Sequence, residues 1–133
     1  MKVVINNTYG GFSLSSKGTE AYYARKGKKV WWFVNPVENG RTNFDKHVPC
    51  DDPGKGYFAH CYSSKEPNED NYLSVRDMER NDPDLIAVVE ELGAEASGRF
   101  ASLKIVEIPD DVDWVIEEYD GLEWIAESHR TWN

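Results

Sequence analysis

The length, composition and charge of the chain limit the kinds of protein it can be. Its 133 residues, 40% hydrophobic and 13% aromatic, suffice for one domain with a buried core, residues 1–133, and exclude a chain that is disordered as a whole. It has no run of about 18 apolar residues, and residues 1–7 are too short and polar for a signal peptide, so we expect a cytoplasmic protein outside the membrane.

The net charge of −9 is unevenly distributed. Residues 1–65 carry 10 Lys or Arg and 5 Asp or Glu, whereas residues 66–133 carry 5 and 19. The acidic half would repel a phosphate backbone, which argues against sequence-independent binding of long DNA or RNA. We interpret the basic cluster at residues 25–29 as a solvated helix end rather than a nucleic-acid patch, because cations are favoured at helix C-termini.

The N-terminal segment predicts a strand, a tight turn and a helix. Residues 2–8 begin with β-branched apolar side chains and predict a strand. The pair Gly10-Gly11 permits a turn in which the backbone approaches its neighbours closely. Ser13 or Ser15 can cap the following helix, which we expect to end at Gly27.

The middle of the chain contains an aromatic strand and a loop-rich insert. Residues 29–34 include Trp31-Trp32-Phe33 and predict a strand that is buried on both faces or meets a partner. Residues 35–71 are rich in Asn, Gly, Pro and Asp, and we interpret them as a variable insert of loops with one strand at 56–62.

A second helix is well marked. After a short strand at 72–76, Asp82 is the expected N-cap, Pro83 suits the first helical position, and Ser97-Gly98 closes the segment. Apolar residues recur at helical spacing and predict one buried stripe. They are Leu85, Val89, Leu92 and Ala96.

The C-terminal segment predicts a strand at residues 102–108, followed by a β-hairpin. The two strands of the hairpin are residues 112–119 and 122–132, and Asp120-Gly121 forms its type I′ turn. This register places Glu118 opposite Glu123, a repulsion that a cation, a partner arginine or, as we favour, solvent screening would relieve. It also pairs Tyr119 with Leu122, Glu117 with Trp124 and Ile116 with Ile125. Without a repeated βαβ pattern, we predict an α+β fold with a mostly antiparallel or mixed sheet, two helices and a C-terminal β-hairpin.

No established catalytic or metal motif is present. Residues 129–131 form one H-x-T triplet, but the second triplet of a two-histidine phosphodiesterase is missing. His47, Cys50, His60 and Cys61 lie close in sequence without zinc-ligand spacing, and adjacent His60-Cys61 would face opposite sides of a strand. We therefore predict no catalytic residue, no metal, no cofactor and two reduced thiols.

Arginines and aromatic residues of the acidic half favour ligand binding over catalysis. An aromatic plane stacks on a base, and a guanidinium pairs with phosphate. The alternative is that the rings form core and the arginines form ion pairs, which composition alone favours. The arginines are Arg76, Arg80, Arg99 and Arg130, with Tyr72, Phe100, Trp124 and Trp132 near them in sequence.

Three motif groups carry a family resemblance over both ends of the chain. They are YGGFSLS at 9–15, the segment at 80–93, and IPDDV, EEYDG and HRTW between residues 108 and 132. With these motifs the chain resembles a family of small bacteriophage and prophage proteins. That family is similar to the first-described Thoeris anti-defence proteins, which sequester immune signals of the cyclic ADP-ribose type and, for some members, cyclic oligonucleotides.

The resemblance implies a protein that is not an enzyme and that holds its ligand between subunits of a homo-oligomer. The family's ligand contacts are an aromatic residue before the second helix, a polar residue at its start and an arginine after it. On this sequence they correspond to Tyr72, to Asn81 or Asp82, and to Arg99. Neighbouring and second-surface candidates are Arg76, Arg80, Arg130 and, in the turn at 9–12, Phe12.

These observations lead to one principal function and two alternatives. We expect a phage protein that acts in the host bacterial cytoplasm by sequestering a cyclic nucleotide signal without cleaving it. The first alternative is an acidic inhibitor that binds a basic host protein. A small nucleotide hydrolase is the second and is less favoured, because no general base is evident in the motifs.

Overall fold

The computed structural model describes residues 1–50 and 59–128. Its pairings are antiparallel, and two α-helices accompany them, which confirms the predicted α+β class with a C-terminal hairpin. None of the described helices has the length and apolar character needed to cross a bilayer. The strands are β1 Lys2–Asn6, β2 Trp31–Val34, β3 Val37–Glu38, β4 Arg41–Thr42, β5 Val48–Pro49, β6 His60–Tyr62, β7 Tyr72–Leu73, β8 Leu103–Glu107, β9 Trp114–Tyr119 and β10 Leu122–Glu127, and the helices are α1 Ser16–Arg25 and α2 Pro83–Leu92.

The core lies between the β1–β8 ladder and the two helices. Val4 pairs with Ile105 in this ladder and is fully buried together with Leu85 and Val88 of α2. Val3 and Ile5 alternate with Val4 and are buried on the other face, while β10 lies against β1. This burial on both faces explains why the first strand is a continuous apolar run rather than an alternating one.

Helix α1 begins and ends at the predicted residues. The Ser15 hydroxyl accepts a hydrogen bond from the Gly18 amide at 3.0 Å, and Gly27 adopts φ +77° just beyond the helix. Gly18 weakens the helix intrinsically, yet a Cβ at this position would lie 2.9 Å from the Ala96 carbonyl oxygen. The glycine therefore permits the close contact between α1 and the segment that follows α2.

Helix α2 ends earlier than the prediction that extended it to residues 97–98. Asp82 is the N-cap as expected, but Gly93 adopts φ +57°, and Gly93–Ala96 continues as a 3₁₀ turn. Leu85, Val89 and Ala96 are buried as predicted. The predicted stripe omitted one buried residue, Val88, and its member Leu92 is only half-buried.

The hairpin has the predicted register, including Glu118 opposite Glu123 and Ile116 opposite Ile125. Asp120 and Gly121 at its tip have φ +49° and +89°. The tip packs on the double-glycine turn, because the Gly10 amide donates to the Asp120 carbonyl at 3.3 Å and a Cβ on Gly121 would collide with the Gly11 amide nitrogen. Two motifs far apart in sequence thus form one backbone contact.

The insert contains more regular structure than predicted. Strands β3 and β4 form a hairpin around Asn39-Gly40, with φ +52° and +75°, and β5 joins a sheet of order β5-β2-β6-β7. The predicted strand at 56–62 begins outside the described residues and includes β6. Strand β7 is shorter than the predicted 72–76, because the Ser74 hydroxyl accepts hydrogen bonds from the Arg76 and Asp77 amides and turns the chain.

The four-stranded sheet is attached to α1. The Trp32 indole donates to a Glu20 carboxylate oxygen at 2.8 Å, and the Tyr23 hydroxyl donates to the Ser74 carbonyl oxygen. Burial, with nearby Cys61, Tyr72 and Asp77, raises the pKa of Tyr23 to about 12. Tyr23 therefore remains a neutral donor across the physiological pH range.

Candidate functional site

One face of the four-stranded sheet is aromatic. Tyr62 pairs with Tyr72 across β6 and β7, and Phe33 pairs with His60 across β2 and β6. His47 packs edge-to-face on Tyr62 with ring centroids 5.5 Å apart, and Tyr62 meets Tyr72 at the same distance. Each such ring pair contributes about 0.5–1.5 kcal/mol beyond burial, so the rings hold one another in place.

The rings of His47, Tyr62 and Tyr72 line the floor of an open groove of about 570 Å³. Tyr72 is 48% exposed, so its ring is accessible to a ligand, while Tyr62 is buried beneath it. Asp45, Asn68 and Glu69 form part of the polar rim. The arrangement is an aromatic floor with hydrogen-bonding groups above it, which is typical of small-molecule sites.

The loop that forms one wall of the groove is held by its own side chains. The Asn71 side chain accepts a hydrogen bond from the Asn68 amide and donates one to the Glu66 carbonyl oxygen, at 2.9 and 2.8 Å. The Asn68 carboxamide oxygen in turn accepts from the Asp70 amide at 2.8 Å. This wall is therefore formed before any ligand arrives, which reduces the entropy cost of binding.

A second hollow adjoins the groove on the side of the β3–β4 hairpin. It is lined by Arg41 of β4 and shares Phe44 and Asp45 with the groove. Phe44 is 75% exposed and separates the two depressions as a common wall. A ligand longer than one ring system can therefore contact the aromatic floor and a guanidinium at the same time.

Two groups of the sheet that forms the groove, the Tyr62 phenol and the Cys61 thiol, have raised pKa values. Burial raises the pKa of Tyr62, so its phenol stays neutral. Cys61 lies on the opposite face of β6, where its thiol donates to the Leu73 carbonyl oxygen at 3.2 Å and burial raises its pKa to about 12. Such a thiol is a poor nucleophile. Within residues 1–50 and 59–128, no group of three His, Cys, Asp or Glu side chains is arranged for a metal ion.

Two of the predicted ligand residues, Arg80 and Phe12, have contacts within the interior of the protein. The Arg80 guanidinium donates to both carboxylate oxygens of Glu123, at 2.6 and 2.8 Å, and stacks 3.6 Å above the Phe12 ring centroid. Phe12 is 7% exposed. The expectation that solvent screening relieves the Glu118–Glu123 repulsion was wrong, because Glu123 is neutralised by Arg80.

Asp82 is also occupied by the scaffold. Its carboxylate caps α2 at the Asp84 amide, at 2.8 Å, and accepts from the Tyr22 hydroxyl and from Lys26 Nζ, also at 2.8 Å. Burial by itself would raise the pKa of Asp82, but the bonds from Lys26, Tyr22 and the Asp84 amide lower it below its usual value. Lys26 also pairs with Asp84, which agrees with the interpretation of the basic cluster as a helix end.

The other predicted residues are dispersed. Arg76 is exposed four positions after Tyr72, and the side chain of exposed Asn81 donates a hydrogen bond to the sulfur of Met1 at 3.8 Å. Arg99 is exposed and lies 5.3 Å from the Phe100 ring centroid. No described hydrogen bond, ion pair or ring contact joins Arg99 to Tyr72 in one chain. Arg130 lies outside the described residues.

Tyr72 is the one described lining residue of the groove that was predicted as a ligand contact, and the unpredicted residues of the groove and the adjoining hollow include Arg41, Phe44, His47 and Tyr62. Two features of the sequence point to Arg41 and Tyr62. Asn39-Gly40 between short polar-apolar runs is a hairpin signal that places Arg41 on a strand. The alternation of His60, Cys61 and Tyr62 predicts which of these side chains share a face.

Comparison of the chain with protein-family models, curated proteins and solved structures finds no match. The family resemblance therefore stays a prediction from the motifs.

Proposed function

We propose that the chain is a phage anti-defence protein that binds and sequesters a small cyclic nucleotide immune signal without cleaving it. The motif resemblance suggests this function, and the observation that carries it in the structure is the preformed aromatic groove with the accessible ring of Tyr72. Tyr72 is also the residue to which the resemblance assigns the aromatic ligand contact.

The groove is suited to a nucleobase. Its volume of about 570 Å³ falls within the range of ordinary ligand pockets, about 300–1,000 Å³. Stacking of one base on an aromatic side chain contributes about 1–3 kcal/mol, and Tyr72 offers its ring to such a base. Asn68 on the rim supplies an amide that hydrogen-bonds the edge of a stacked base.

The charges around the groove orient the ligand. Glu69 on the rim repels phosphate, so the phosphates point toward Arg41 in the neighbouring hollow, where the carboxylate of Glu38 is already paired with Lys46. Arg76 is a further exposed cation close to Tyr72 in the chain. In the homo-oligomer that the resemblance implies, Arg99 of a second copy would complete the contacts to the phosphates.

Intact release of the ligand tests this proposal. Purified protein is mixed with cyclic ADP-ribose isomers or cyclic dinucleotides, the unbound nucleotide is measured by chromatography of a filtrate, and the protein is then denatured by heat. We expect depletion of at least one nucleotide and its recovery intact after heating. No depletion of any of these nucleotides would contradict the proposal, and recovery of a cleaved product would favour the hydrolase.

The location of the site is tested by substitution. Tyr72→Ala removes the stacking ring, and we expect at least tenfold weaker binding, since a tenfold change corresponds to about 1.4 kcal/mol. Tyr119→Ala removes a tyrosine ring that is 70% exposed and lies outside the groove, on the hairpin, and it serves as the control. If the two variants weaken nucleotide binding equally, the site is not the groove.

A further inference from the structure

The outer face of the β9–β10 hairpin is an exposed apolar surface. Tyr119, Trp124 and Val115 are 70%, 42% and 41% exposed, and alternation along the strands puts them on the same side. The opposite side holds Glu123, which is buried, and Ile116 and Ile125, which are half-buried. No described residue covers the outer side, so its rings are available to a partner.

This surface continues around the hairpin tip. The Gly10 turn, which contacts the tip, carries Tyr9 at 59% exposure, and Phe100 beside Gly10 is 67% exposed. Exposed aromatic rings concentrated in one area are characteristic of protein interfaces, which are enriched in Tyr, Trp and Phe.

The charge of the hairpin determines what kind of partner fits. Residues 112–128 contain six Asp or Glu and no Lys or Arg. Only Glu123 among these acids has an ion pair with a described basic residue. A partner that docks here must therefore bring positive charge, and a nucleic acid or an acidic protein would be repelled.

A pair of side chains on this face is arranged to receive a guanidinium. The Trp124 indole nitrogen donates to a Glu117 carboxylate oxygen at 3.0 Å, which fixes the indole plane beside the carboxylate, and the other Glu117 oxygen has no hydrogen-bond or ion-pair partner among the described residues. Arginine stacks on indole and donates to carboxylate in one geometry, and indole is the strongest ring for such stacking.

We propose that the outer face of the hairpin, residues 114–127, docks an arginine-bearing segment of a partner protein, with a guanidinium stacked on Trp124 and paired with Glu117. A second copy of the chain that brought the same face would fit less well, because the two acidic hairpin faces would repel each other. This proposal is independent of nucleotide binding.

A labelled peptide tests the proposal with the full chain. A short fluorescein-labelled peptide of alternating arginine and leucine is titrated with the protein, and its anisotropy is measured at low and high salt. We expect saturable binding that weakens severalfold at high salt. The same peptide with lysine in place of arginine should bind less tightly, because lysine lacks the planar guanidinium group that stacks on indole and donates to a carboxylate. Equal binding of both peptides would contradict a guanidinium site.

Variants separate this site from general attraction to an acidic protein. We expect Trp124→Ala to weaken arginine-peptide binding at least tenfold. Glu117→Lys removes little packing and should weaken binding by at least as much. Circular dichroism checks that both variants keep the fold. Tyr72→Ala in the distant groove should leave peptide binding unchanged. Undiminished binding by both hairpin variants would overturn the proposal. So would concentration-dependent dimerisation that Trp124→Ala abolishes, because it would assign the face to a second copy.

Discussion

At the scale of single residues, Arg80 and Glu123 accept hydrogen bonds from the edge of β1 that pairs with no strand among the described residues. The Val4 amide donates to the Arg80 carbonyl oxygen at 2.8 Å, and the Asn6 amide donates to a Glu123 carboxylate oxygen at 2.7 Å. These bonds satisfy the edge of β1 that does not face β8. The ion pair between the two side chains holds the arrangement, with Glu123 only 8% exposed.

Removing one partner of this ion pair should be strongly destabilising. Arg80→Met leaves the Glu123 carboxylate buried and unpaired, and we expect the free energy of unfolding to fall by about 3 kcal/mol or more. Lys17→Met is the control, because its pair with Glu95 is well exposed and contributes at most about 1 kcal/mol. Urea denaturation measures both. Equal losses in the two variants would show that the buried pair has no special role.

At the scale of elements, glycines determine how the hairpin docks. Gly121 and Gly40 both occupy the tip of a hairpin with positive φ, at +89° and +75°. They differ in their surroundings, because a Cβ on Gly121 would collide with the Gly10-Gly11 backbone, whereas a Cβ on Gly40 meets nothing within 4 Å. Gly121 is therefore part of a close tertiary contact, whereas Gly40 is not.

This difference predicts unequal costs for the same substitution. Gly40→Ala should lower the free energy of unfolding by about 1–2 kcal/mol, the cost of a left-handed backbone for an L-residue. Gly121→Ala carries the same backbone cost and in addition separates the tip from the Gly10 turn, so its loss should be clearly larger. Thermal or urea unfolding of the two variants measures both losses of stability. A loss at Gly121 no greater than that at Gly40 would mean that the tip contact contributes nothing.

At the scale of the whole molecule, the four-stranded sheet and the helical core meet at few polar contacts. Tyr23 bonds to the Ser74 carbonyl and Trp32 bonds to Glu20, while Cys61 is fully buried on the face of the sheet opposite the aromatic floor. The prediction of a single domain requires that these parts unfold together.

The Cys61 thiol can report whether they do. In a Cys50→Ser variant, we expect Cys61 to resist a thiol reagent at about pH 8, because the thiol is inaccessible and its pKa is raised by burial to about 12, well above the ordinary value. Labelling across a urea series should follow the loss of helical circular dichroism. Labelling at urea concentrations below that transition would show that the sheet opens separately and would contradict a single cooperative domain.

Local chemistry in the sequence determined most of the scaffold. The Ser15 and Asp82 caps, the Asp120-Gly121 tip and the hairpin register all depend on neighbours a few residues apart, so they could be predicted without tertiary information. The Asn39-Gly40 pair is an equally clear hairpin signal, but the high content of Asn, Gly, Pro and Asp around it led to the prediction of a loop.

Only the tertiary structure decided which side chains are free to bind a ligand. Arg80 and Arg99 are both arginines in an acidic segment, yet Arg80 is paired with Glu123, forty-three positions away, and Arg99 is exposed. Likewise, His47 packs on Tyr62 and Tyr62 packs on Tyr72 only because β5, β6 and β7 are brought into one sheet with β2. Ion pairing and ring packing depend on distance in space, and the order of residues along a chain does not specify that distance until the fold has formed.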